Sequence, residues 1–410
     1  MKEDAALLPV EDARARTLAL VSPLPPEWVR LEEALGRALA EDVRAQRTLP
    51  PWDNSAMDGF AVRSAELSAP LPVRLQVKET IYAGQTPRQE VQPGTCARIM
   101  TGAPLPAGAD AVVMRERTRL APGGDEDEVE ILETVGPGHF VRPRGEDARE
   151  GEVLLPRGTP LGIPELGLLV GQGMLTAPVP RRPRVAILST GDELCRADAP
   201  TEGRIVDANA PALSLAVLRA GGVPSVLGIA RDTLEDVYRH LAAAGGYDLV
   251  LTSAGMSVGE HDFVREALEK LGVERDFWRV AIKPGKPLAV GRKGATVYIG
   301  LPGNPTSSLV TFELFVRPAL RRMLGHPDVE PPRVSGRLDG ELKKPEGLAH
   351  YVRVTATWQD GELWARPLAT QTSGALRSAA SATHLLHFPR SSSRLATGDK
   401  VELLPLSWGA

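Results

Sequence analysis

The sequence predicts a multidomain protein in which a central doubly wound α/β domain is combined with β-rich domains. The chain has 410 residues, and at about 150 residues per domain this length predicts two to four domains. Between residues 178 and 327, apolar strands without polar alternation are interleaved with helical stretches. That pattern is typical of a parallel sheet covered on both faces. On either side, at 47–141 and 328–410, short apolar runs are cut by proline and glycine, which indicates β-rich structure.

The first 177 residues predict a domain with another domain inserted into it. A helix is expected after Pro9, and Val29–Val43 has the pattern of a second amphipathic helix. Residues 142–177 contain a short predicted helix with Pro164 in its first turn. We expect 1–46 and 142–177 to form one helical or mixed domain. The β-rich segment 47–141 would then be an insertion within it.

The α/β domain, 178–327, is predicted element by element. Apolar runs predict strands at Val185–Ser189, Ser225–Ala230, Asp248–Ser253 and Thr296–Leu301. Helices are predicted at Pro211–Ala220, Leu234–Ala244, Phe263–Leu271 and Ser307–Leu324. A lysine-bearing loop is expected before the last of these strands. The tail, 328–410, has strand patterns on both sides of Asp360-Gly361, a strong hairpin signal, and predicts a small β-barrel or sandwich.

Composition excludes several functional classes. The formal net charge is −4, which argues against a protein that binds the nucleic-acid backbone through a basic field. Two cysteines, Cys96 and Cys195, are too few for a disulfide framework or a four-cysteine zinc site. No apolar run approaches the roughly 20 residues that span a bilayer, and the acidic N-terminus lacks a signal-peptide core. We therefore expect a soluble, cytoplasmic protein.

The chemistry is expected at the carboxyl ends of the parallel strands, where ligands bind in open α/β sheets. The SAGMSVG loop after the third strand has two glycines and two serines, which can turn N–H groups and hydroxyls toward an anion; an ordinary strand-to-helix turn is the alternative. The IKPGKP segment holds Lys283 and Lys286 three residues apart in a turn stiffened by proline and glycine. Two ammonium groups held close together favour an oxyanion between them, although two solvated surface lysines would also fit.

Three carboxylates follow strands at the same predicted edge: Glu193, Asp232 and Asp262. Hard oxygen ligands beside a phosphate site suggest Mg²⁺. Helix capping is the alternative, since Asp232 has Glu235 three residues on and Asp262 stands just before a predicted helix. Neither cysteine nor any of the seven histidines lies in a recognisable nucleophile or paired-ligand motif. The nucleophile would therefore come from a substrate or from water.

Several segments together resemble the molybdopterin molybdenumtransferases, called MoeA in bacteria, a family that includes the gephyrin E domain. The strongest marker is LPPWDNSAMDGFAVR at Leu49–Arg63. The others are RIMTGAPLPAGADAVV, VRPRGEDAREG, LSTGDEL, TSAGMSVGEHD, IKPGKP and GLPGNP, in the family's order over nearly the whole chain. The resemblance implies a homodimer of four-domain subunits with a molybdopterin-binding α/β domain. It implies insertion of molybdate into adenylylated molybdopterin, with Mg²⁺-dependent cleavage of the phosphoanhydride and release of AMP.

The resemblance also implies roles for particular residues. Catalytic roles fall to Asp58, Thr101, Asp147, Glu193, Asp232, Asp262 and Lys283, of which Glu193, Asp232 and Asp262 would surround the metal. Substrate-binding roles fall to Ser253, Gly255, Ser257, Arg279, Lys286, Pro302, Pro305, Ser307, Arg353 and Ser373. Taken without the family, Asp58 before Gly59 could serve a purely local turn. A molybdopterin adenylyltransferase is a possible partner; nucleic acid and membrane are not expected partners.

The chain departs from the family pattern at a few positions. The usual SGGVSVG has Ala254 and Met256, the usual DSN has Ala208, Phe60 replaces a common tyrosine, and Arg279 replaces a common lysine. None of these changes removes an ionisable site residue. Two rival functions are a scaffold protein and a stand-alone molybdopterin-binding or adenylyltransferase-like protein. Insertion of tungstate instead of molybdate is a variant of the main hypothesis.

Overall fold

The structure, a computed structural model, describes residues 7–120, 127–254 and 263–408. Contacts between Cα atoms group the chain into two compact units, with boundaries after Glu41, Pro156, Gly162 and Leu175. The first unit holds the N-terminal segment, a short connection at Arg157–Gly162 and everything from Thr176 onward. The second holds Asp42–Pro156 and Ile163–Leu175. The division into four domains predicted above stays a prediction.

The described residues form nine α-helices. They are α1 Val10–Ala19, α2 Leu31–Ala34, α3 Ile163–Gly171, α4 Asn209–Arg219, α5 Leu234–Ala243, α6 Phe263–Leu271, α7 Pro305–Thr311, α8 Arg317–Met323 and α9 Leu376–Ser381. A π-helical turn, Phe312–Val316, joins α7 to α8. No helix in these ranges is long and apolar enough to cross a membrane.

Strands account for most of the remaining regular structure. Up to residue 180 they are β1 Pro26–Arg30, β2 Val43–Arg44, β3 Asn54–Ser55, β4 Gly59–Val62, β5 Val73–Ile81, β6 Thr95–Ile99, β7 Ala111–Met114, β8 Thr118–Leu120, β9 Glu128–Ile131, β10 Val141–Arg142, β11 Val153–Leu155 and β12 Thr176–Pro180. Beyond it they are β13 Arg184–Thr190, β14 Leu194–Cys195, β15 Ile205–Val206, β16 Val223–Ala230, β17 Leu249–Ser253, β18 Glu274–Arg279, β19 Ile282–Lys283, β20 Pro287–Lys293, β21 Thr296–Leu301, β22 Val334–Leu338, β23 Leu342–Lys343, β24 Ala349–Gln359, β25 Glu362–Pro367, β26 His384–Phe388, β27 Arg394–Leu395 and β28 Lys400–Pro405.

The amphipathic helix predicted over Val29–Val43 is wrong. Residues 26–30 form β1, which pairs with β12, and the helix that follows ends at Ala34. Gly36 has a φ of 75°, in the left-handed region that ends helices. Beyond it, the N–H groups of Gly36 and Leu39 donate to carbonyls of residues 159–161, so pairing with a distant segment replaces the helix.

The second unit is built on a six-stranded sheet in the order β7-β4-β6-β5-β9-β8. The sheet is antiparallel except between β5 and β6. Alternate residues of its strands face two apolar clusters, one containing Phe60 and Cys96 and the other Ala61 and Ala97. The β-rich character predicted for this region is therefore present.

The α/β region of the first unit is a six-stranded mixed sheet in the order β16-β13-β17-β21-β20-β18. The first four strands are parallel, as predicted, and their helices alternate with them along the chain. The prediction of a loop before β21 is wrong in part, because this segment also forms two antiparallel strands, β18 and β20. Phe277, Leu288 and Val290 on these strands are buried in the sheet's core, which extends the sheet beyond its parallel part.

The C-terminal region is a closed barrel of five strands, β24-β25-β22-β28-β26, with β26 pairing back to β24. The hairpin predicted at Asp360-Gly361 joins β24 to β25, and both residues have positive φ as a two-residue hairpin turn requires. The small barrel, one of the two predicted alternatives, is confirmed. The short strand β19 pairs in parallel with β24. This pairing places the lysine-bearing turn beside the barrel within the same unit.

Candidate functional site

A cleft of about 1210 Å³ lies in the first unit, and we call it the sheet-edge cleft. Its walls are the loop after β13, the start of α4, the turn at 282–287, the start of α7 and the barrel loop at 371–376. The predicted residues that line it are Glu193, Lys283, Lys286, Pro302, Pro305, Ser307 and Ser373. The structure therefore brings these predicted residues together in one cleft, at the edge where ligands bind in open α/β sheets.

Lys283 and Lys286 are both exposed on the wall of this cleft. The turn between them contains a cis Lys283–Pro284 peptide bond and Gly285, whose φ is 105°. A methyl group at Gly285 would collide with the side chain of Thr311, so this turn needs glycine to pack on α7. Neither ammonium group has an ion-pair partner among the described residues, which leaves both charges available to an anion.

The start of α7 forms another part of the wall. Pro305 is the first helical residue, as predicted, but the Asn304 side chain makes no capping hydrogen bond and is exposed in the cleft. Ser307 is only 3% exposed. The Thr306 N–H donates to the Ser373 carbonyl at 3.0 Å, which ties the barrel loop to the helix start.

Arg353 does not line the cleft. It is 1% exposed, and its guanidinium donates to the carbonyls of Thr370 and Thr372 at 3.0 and 3.1 Å. Gln371, between them, accepts from the Arg353 N–H and donates to the Arg353 carbonyl. Arg353 therefore fixes the loop that carries Ser373, whereas the resemblance implies that it binds substrate.

Asp207 and Asn209 line the cleft and were not predicted as site residues. Asp207 accepts from the N–H groups of Asn209 and Ala210 at the start of α4. The Asn209 amide donates to Ser253 Oγ at 2.6 Å and to the Gly303 carbonyl at 2.7 Å, so it joins the ends of β17 and β21. The signal that could have found them is the family's DSN position, which the sequence analysis noted as a departure only.

Asp232 is not a helix cap. The cap of α5 is Thr233, whose Oγ accepts from the Asp236 N–H, and Asp236 in turn accepts from the Arg231 N–H. The Asp232 carboxylate is exposed and accepts only from the Asp192 N–H, at 3.2 Å, among the described residues. The capping alternative for Asp232 is therefore wrong, and its carboxylate is available at the strand edge.

Several predicted residues fall elsewhere. Asp262, Gly255 and Ser257 lie outside the described residues, as does Met256. Ser253 is buried and holds the Asn209 amide, and Arg279 is exposed on β18 without lining the cleft. Ala254, at the rim, has a φ of 79°, where a side chain is strained.

A second cleft, of about 560 Å³, lies within the second unit and contains Asp58; we call it the Asp58 cleft. The Asp58 carboxylate accepts from the Thr101 N–H at 2.7 Å and the Thr101 hydroxyl at 2.8 Å. These bonds, with a smaller contribution from nearby Arg115, hold the pKa of Asp58 below its ordinary value. Because Thr101 is distant in sequence, Asp58 does more than form a local turn. Asp147 is exposed in the same unit and does not line this cleft.

Three family models match the chain. They are described as the MoeA N-terminal region (domain I and II) over residues 8–173, a probable molybdopterin binding domain over 186–322, and the MoeA C-terminal region (domain IV) over 335–406.

Relatives match over most of the chain. A molybdopterin molybdenumtransferase from Bacillus subtilis is 35% identical over 98% of this chain and 95% of its own length. One from Nostoc is 43% identical over 73% of this chain and 70% of its own length. The crystal structure of a molybdopterin biosynthesis MoeA protein from Pyrococcus horikoshii covers 98% of this chain and 99% of its own, with a TM-score of 0.82 and 32% identity. The chain therefore belongs to the MoeA family of molybdopterin molybdenumtransferases, and is a transferase of molybdenum cofactor biosynthesis.

Proposed function

We propose that this transferase inserts molybdate into adenylylated molybdopterin, cleaves the phosphoanhydride with the help of Mg²⁺ and releases AMP. The observation that supports this most strongly is the pair Lys283 and Lys286, two cations on the wall of the sheet-edge cleft that have no ion-pair partner among the described residues. A phosphoanhydride and molybdate are both anions, so both would be held by such a pair. The cleft, at about 1210 Å³, is larger than an oxyanion alone requires.

The residues of the cleft divide this work. The lysine pair would bind and orient the anionic groups, because its turn is fixed by packing on α7. Ser307 and the loop at 371–374 would line the binding site of the oxyanion. The Arg353 guanidinium holds that loop in position. Asn209 acts on the substrate indirectly, by fixing the ends of β17 and β21 relative to each other.

The donor set at the strand edge fits Mg²⁺. This ion is usually held by one or two carboxylates together with substrate phosphate oxygens. The Asp232 carboxylate is exposed and engaged only by the Asp192 N–H among the described residues, and Glu193 presents a second exposed carboxylate. Asp232 and Glu193 would hold the ion, which would neutralise charge on the phosphoanhydride. The described residues contain no group of three or more metal-binding side chains. Asp262, the third carboxylate that the resemblance assigns to the metal, lies outside them, and it would complete the site together with phosphate oxygens.

No protein nucleophile is required by this reaction. Water or a molybdate oxygen would attack the phosphoanhydride and form a new P–O bond as the old one breaks, so that AMP leaves and the pterin keeps its own phosphate. The two dithiolene thiols would replace an oxygen of molybdate, which leaves with their protons as water. Burial raises the pKa of Cys96 to about 12, so it remains a thiol at neutral pH, and Cys195 is also buried. The chain's contribution is to position anions, as the lysine pair indicates.

The remaining predictions belong to this proposal. A homodimer, a molybdopterin adenylyltransferase as partner and a cytoplasmic location rest on the resemblance and the sequence. Tungstate in place of molybdate would be accepted by the same cations, since the two oxyanions share charge and shape. A stand-alone binding or scaffold role is less favoured, because the family models cover the regions on both sides of the α/β domain.

Replacement of Asp232 tests the metal assignment. Asp232→Asn keeps the hydrogen bond to the Asp192 N–H but removes the charge, so turnover should need a higher Mg²⁺ concentration while the melting temperature stays unchanged. Thr233→Ala is the matched control, because it removes the α5 cap and should cost about 1 kcal/mol of stability without changing the Mg²⁺ dependence. Wild-type Mg²⁺ dependence in Asp232→Asn would contradict the role given to this carboxylate.

A further inference from the structure

The Asp58 cleft carries two cations to which the family resemblance assigns no role, Arg98 and Arg115. The apolar side chains of Phe60, Val77 and Val129 contribute to the same cleft. A concave surface with an apolar part and a few charged groups is typical of small-molecule sites. A ligand can use only those charged groups of the cleft that other protein groups do not already engage.

Arg98 lies in the middle of the sheet. It is on β6, between the buried residues Ala97 and Ile99, and it pairs with Phe60 on β4 and Thr80 on β5. Alternation along the strand puts its side chain on the face of Cys96, which is fully buried two residues earlier. Arg98 is nevertheless exposed, because the apolar face opens into the cleft at this point. Among the described residues no carboxylate lies within ion-pair distance of it.

Arg115 is the first residue of the 3₁₀ turn Arg115–Arg117, directly after β7. Its N–H donates to the Asp58 carbonyl at 3.1 Å, which fixes the turn next to Asp58. Its guanidinium is near enough to contribute to the lowered pKa of Asp58. It makes no ion pair within the described part of the chain, and both Thr101 hydrogen bonds to Asp58 end on the same carboxylate oxygen, Oδ1.

The other charged groups of this cleft are mostly engaged. Arg119 pairs with Glu130 at 2.5 Å, and the Lys78 ammonium donates to the Gln76 side chain at 2.5 Å. The Glu79 carboxylate accepts from the N–H groups of residues 88 and 89. Asp127 and Asp58 are the exposed carboxylates of the cleft, and among the described residues Asp58 is engaged through Oδ1 alone. The two arginines are therefore the cations of the cleft with no described partner.

We infer that Arg98 and Arg115 bind a tetrahedral oxyanion, either a phosphate group or molybdate, in the Asp58 cleft. The guanidinium fork presents paired N–H donors that match the oxygens of such an anion, and it stays charged at every physiological pH. This inference deepens the proposed function, on which the choice of these two anions rests. The binding itself needs no turnover and can be tested separately.

The test is calorimetric titration of the full chain with molybdate, inorganic phosphate and AMP. All variants are made on a Lys283→Gln/Lys286→Gln background, so that the anion site predicted in the sheet-edge cleft is removed. Arg98→Gln and Arg115→Gln should each weaken binding by about tenfold or more, as expected for one lost hydrogen bond to a charged group. Arg119→Gln, the matched control, changes an arginine of the same cleft that is already paired and should change binding less than about twofold.

Each outcome decides the question. Arginine-dependent binding of phosphate and AMP would identify a phosphate site, and arginine-dependent binding of molybdate a molybdate site. No measurable binding on the lysine background, or equal binding in the arginine variants and their parent, would overturn the inference. Unchanged melting temperatures are expected because both arginines are exposed. Arginine-dependent binding without any AMP release in the wild-type protein would instead count against the proposed function alone.

Discussion

The two clefts differ in what their ionisable groups are free to do. In the sheet-edge cleft, Lys283 and Lys286 have no ion-pair partner among the described residues, so both charges are available to a ligand. In the Asp58 cleft, the central carboxylate is held by the N–H and the hydroxyl of Thr101. The first arrangement suits anion capture, and the second combines the arginine pair Arg98 and Arg115 with an acid whose ionisation state and position are fixed. Changes in the two clefts should therefore have different signatures.

The largest expected effect is the loss of turnover when the lysine pair is replaced. Lys283→Ala/Lys286→Ala should reduce molybdate-dependent AMP release by about 10²–10³-fold, the usual range for losing a positioned electrostatic group. The melting temperature should not fall, because both side chains are exposed and unpaired in the described structure. Lys293→Ala is the control, since this lysine is exposed on β20 outside the cleft. Equal turnover in the double variant would show that the lysines are ordinary surface residues.

The next effect concerns the strand beside that lysine turn. His350, on β24, pairs in register with Lys283, and its pKa is lowered from 6.5 to about 4, mainly by burial and further by Lys283, Lys344 and Arg353. The unfolded chain therefore binds more protons between these pH values. The contribution of neutral His350 to the free energy of unfolding should therefore be fully present above pH 6.5. It should be lost, by about 3 kcal/mol, as the pH falls from 6.5 through 4.

Denaturant unfolding at several pH values measures this loss. His350→Gln should show a smaller decrease between pH 6.5 and pH 4.5 than the wild type. His326→Gln makes a useful comparison, because burial also lowers the pKa of His326 to about 4, at a site away from the lysine turn. Parallel pH profiles for wild type and His350→Gln would show that His350 is not buried in its neutral form.

A third effect should appear only in the Asp58 cleft. Thr101→Val removes the hydroxyl that helps to lower the pKa of Asp58, so this pKa should rise toward its ordinary value. If ionised Asp58 is needed for turnover, the acidic limb of the kcat/KM profile should move to higher pH in Thr101→Val. The lysine variants should lower the same profile without moving that limb. If the acidic limb of the kcat/KM profile has the same position in Thr101→Val as in the wild type, ionised Asp58 is not needed for turnover.

The smallest effect concerns Ala254 at the rim of the sheet-edge cleft. Its φ of 79° lies where glycine is favoured, and glycine is the family's usual residue there by resemblance. Ala254→Gly should stabilise the protein by about 1 kcal/mol, a gain that thermal melting would detect. Ala216→Gly, inside α4, should instead destabilise by about the same amount. A loss of stability in both variants would contradict the strain assigned to Ala254.

The parallel part of the fold could be predicted from the sequence because its signals are local. Continuous apolar runs mark β13, β17 and β21, and the loops after parallel strands must meet at one edge. The antiparallel strand β18 has no such run, and the short run of β20 follows directly on the lysine-bearing turn; β20 is held by pairing with β18 and with β21. The predicted helix over 29–43 failed for a similar reason, since residues 159–161 supply acceptors that the local pattern does not reveal.

The candidate site residues show the same contrast between local signals and contacts with distant segments. Lys283 and Lys286 could be predicted because a single stiff turn holds both of them. Arg353 was predicted from a motif, but its buried guanidinium is used on the loop at 370–372. Arg98 begins the RIMTGAP segment, but the segment assigned it no role, because its exposure depends on three strands that are far apart in the sequence.

The most direct test of the central claim is AMP release from adenylylated molybdopterin in the presence of Mg²⁺, with and without molybdate. We expect release that depends on molybdate, yields active cofactor and is lost in Lys283→Ala/Lys286→Ala. A parallel reaction with tungstate shows which oxyanion is preferred. If a well-folded protein releases no AMP with either oxyanion, the proposed reaction is contradicted.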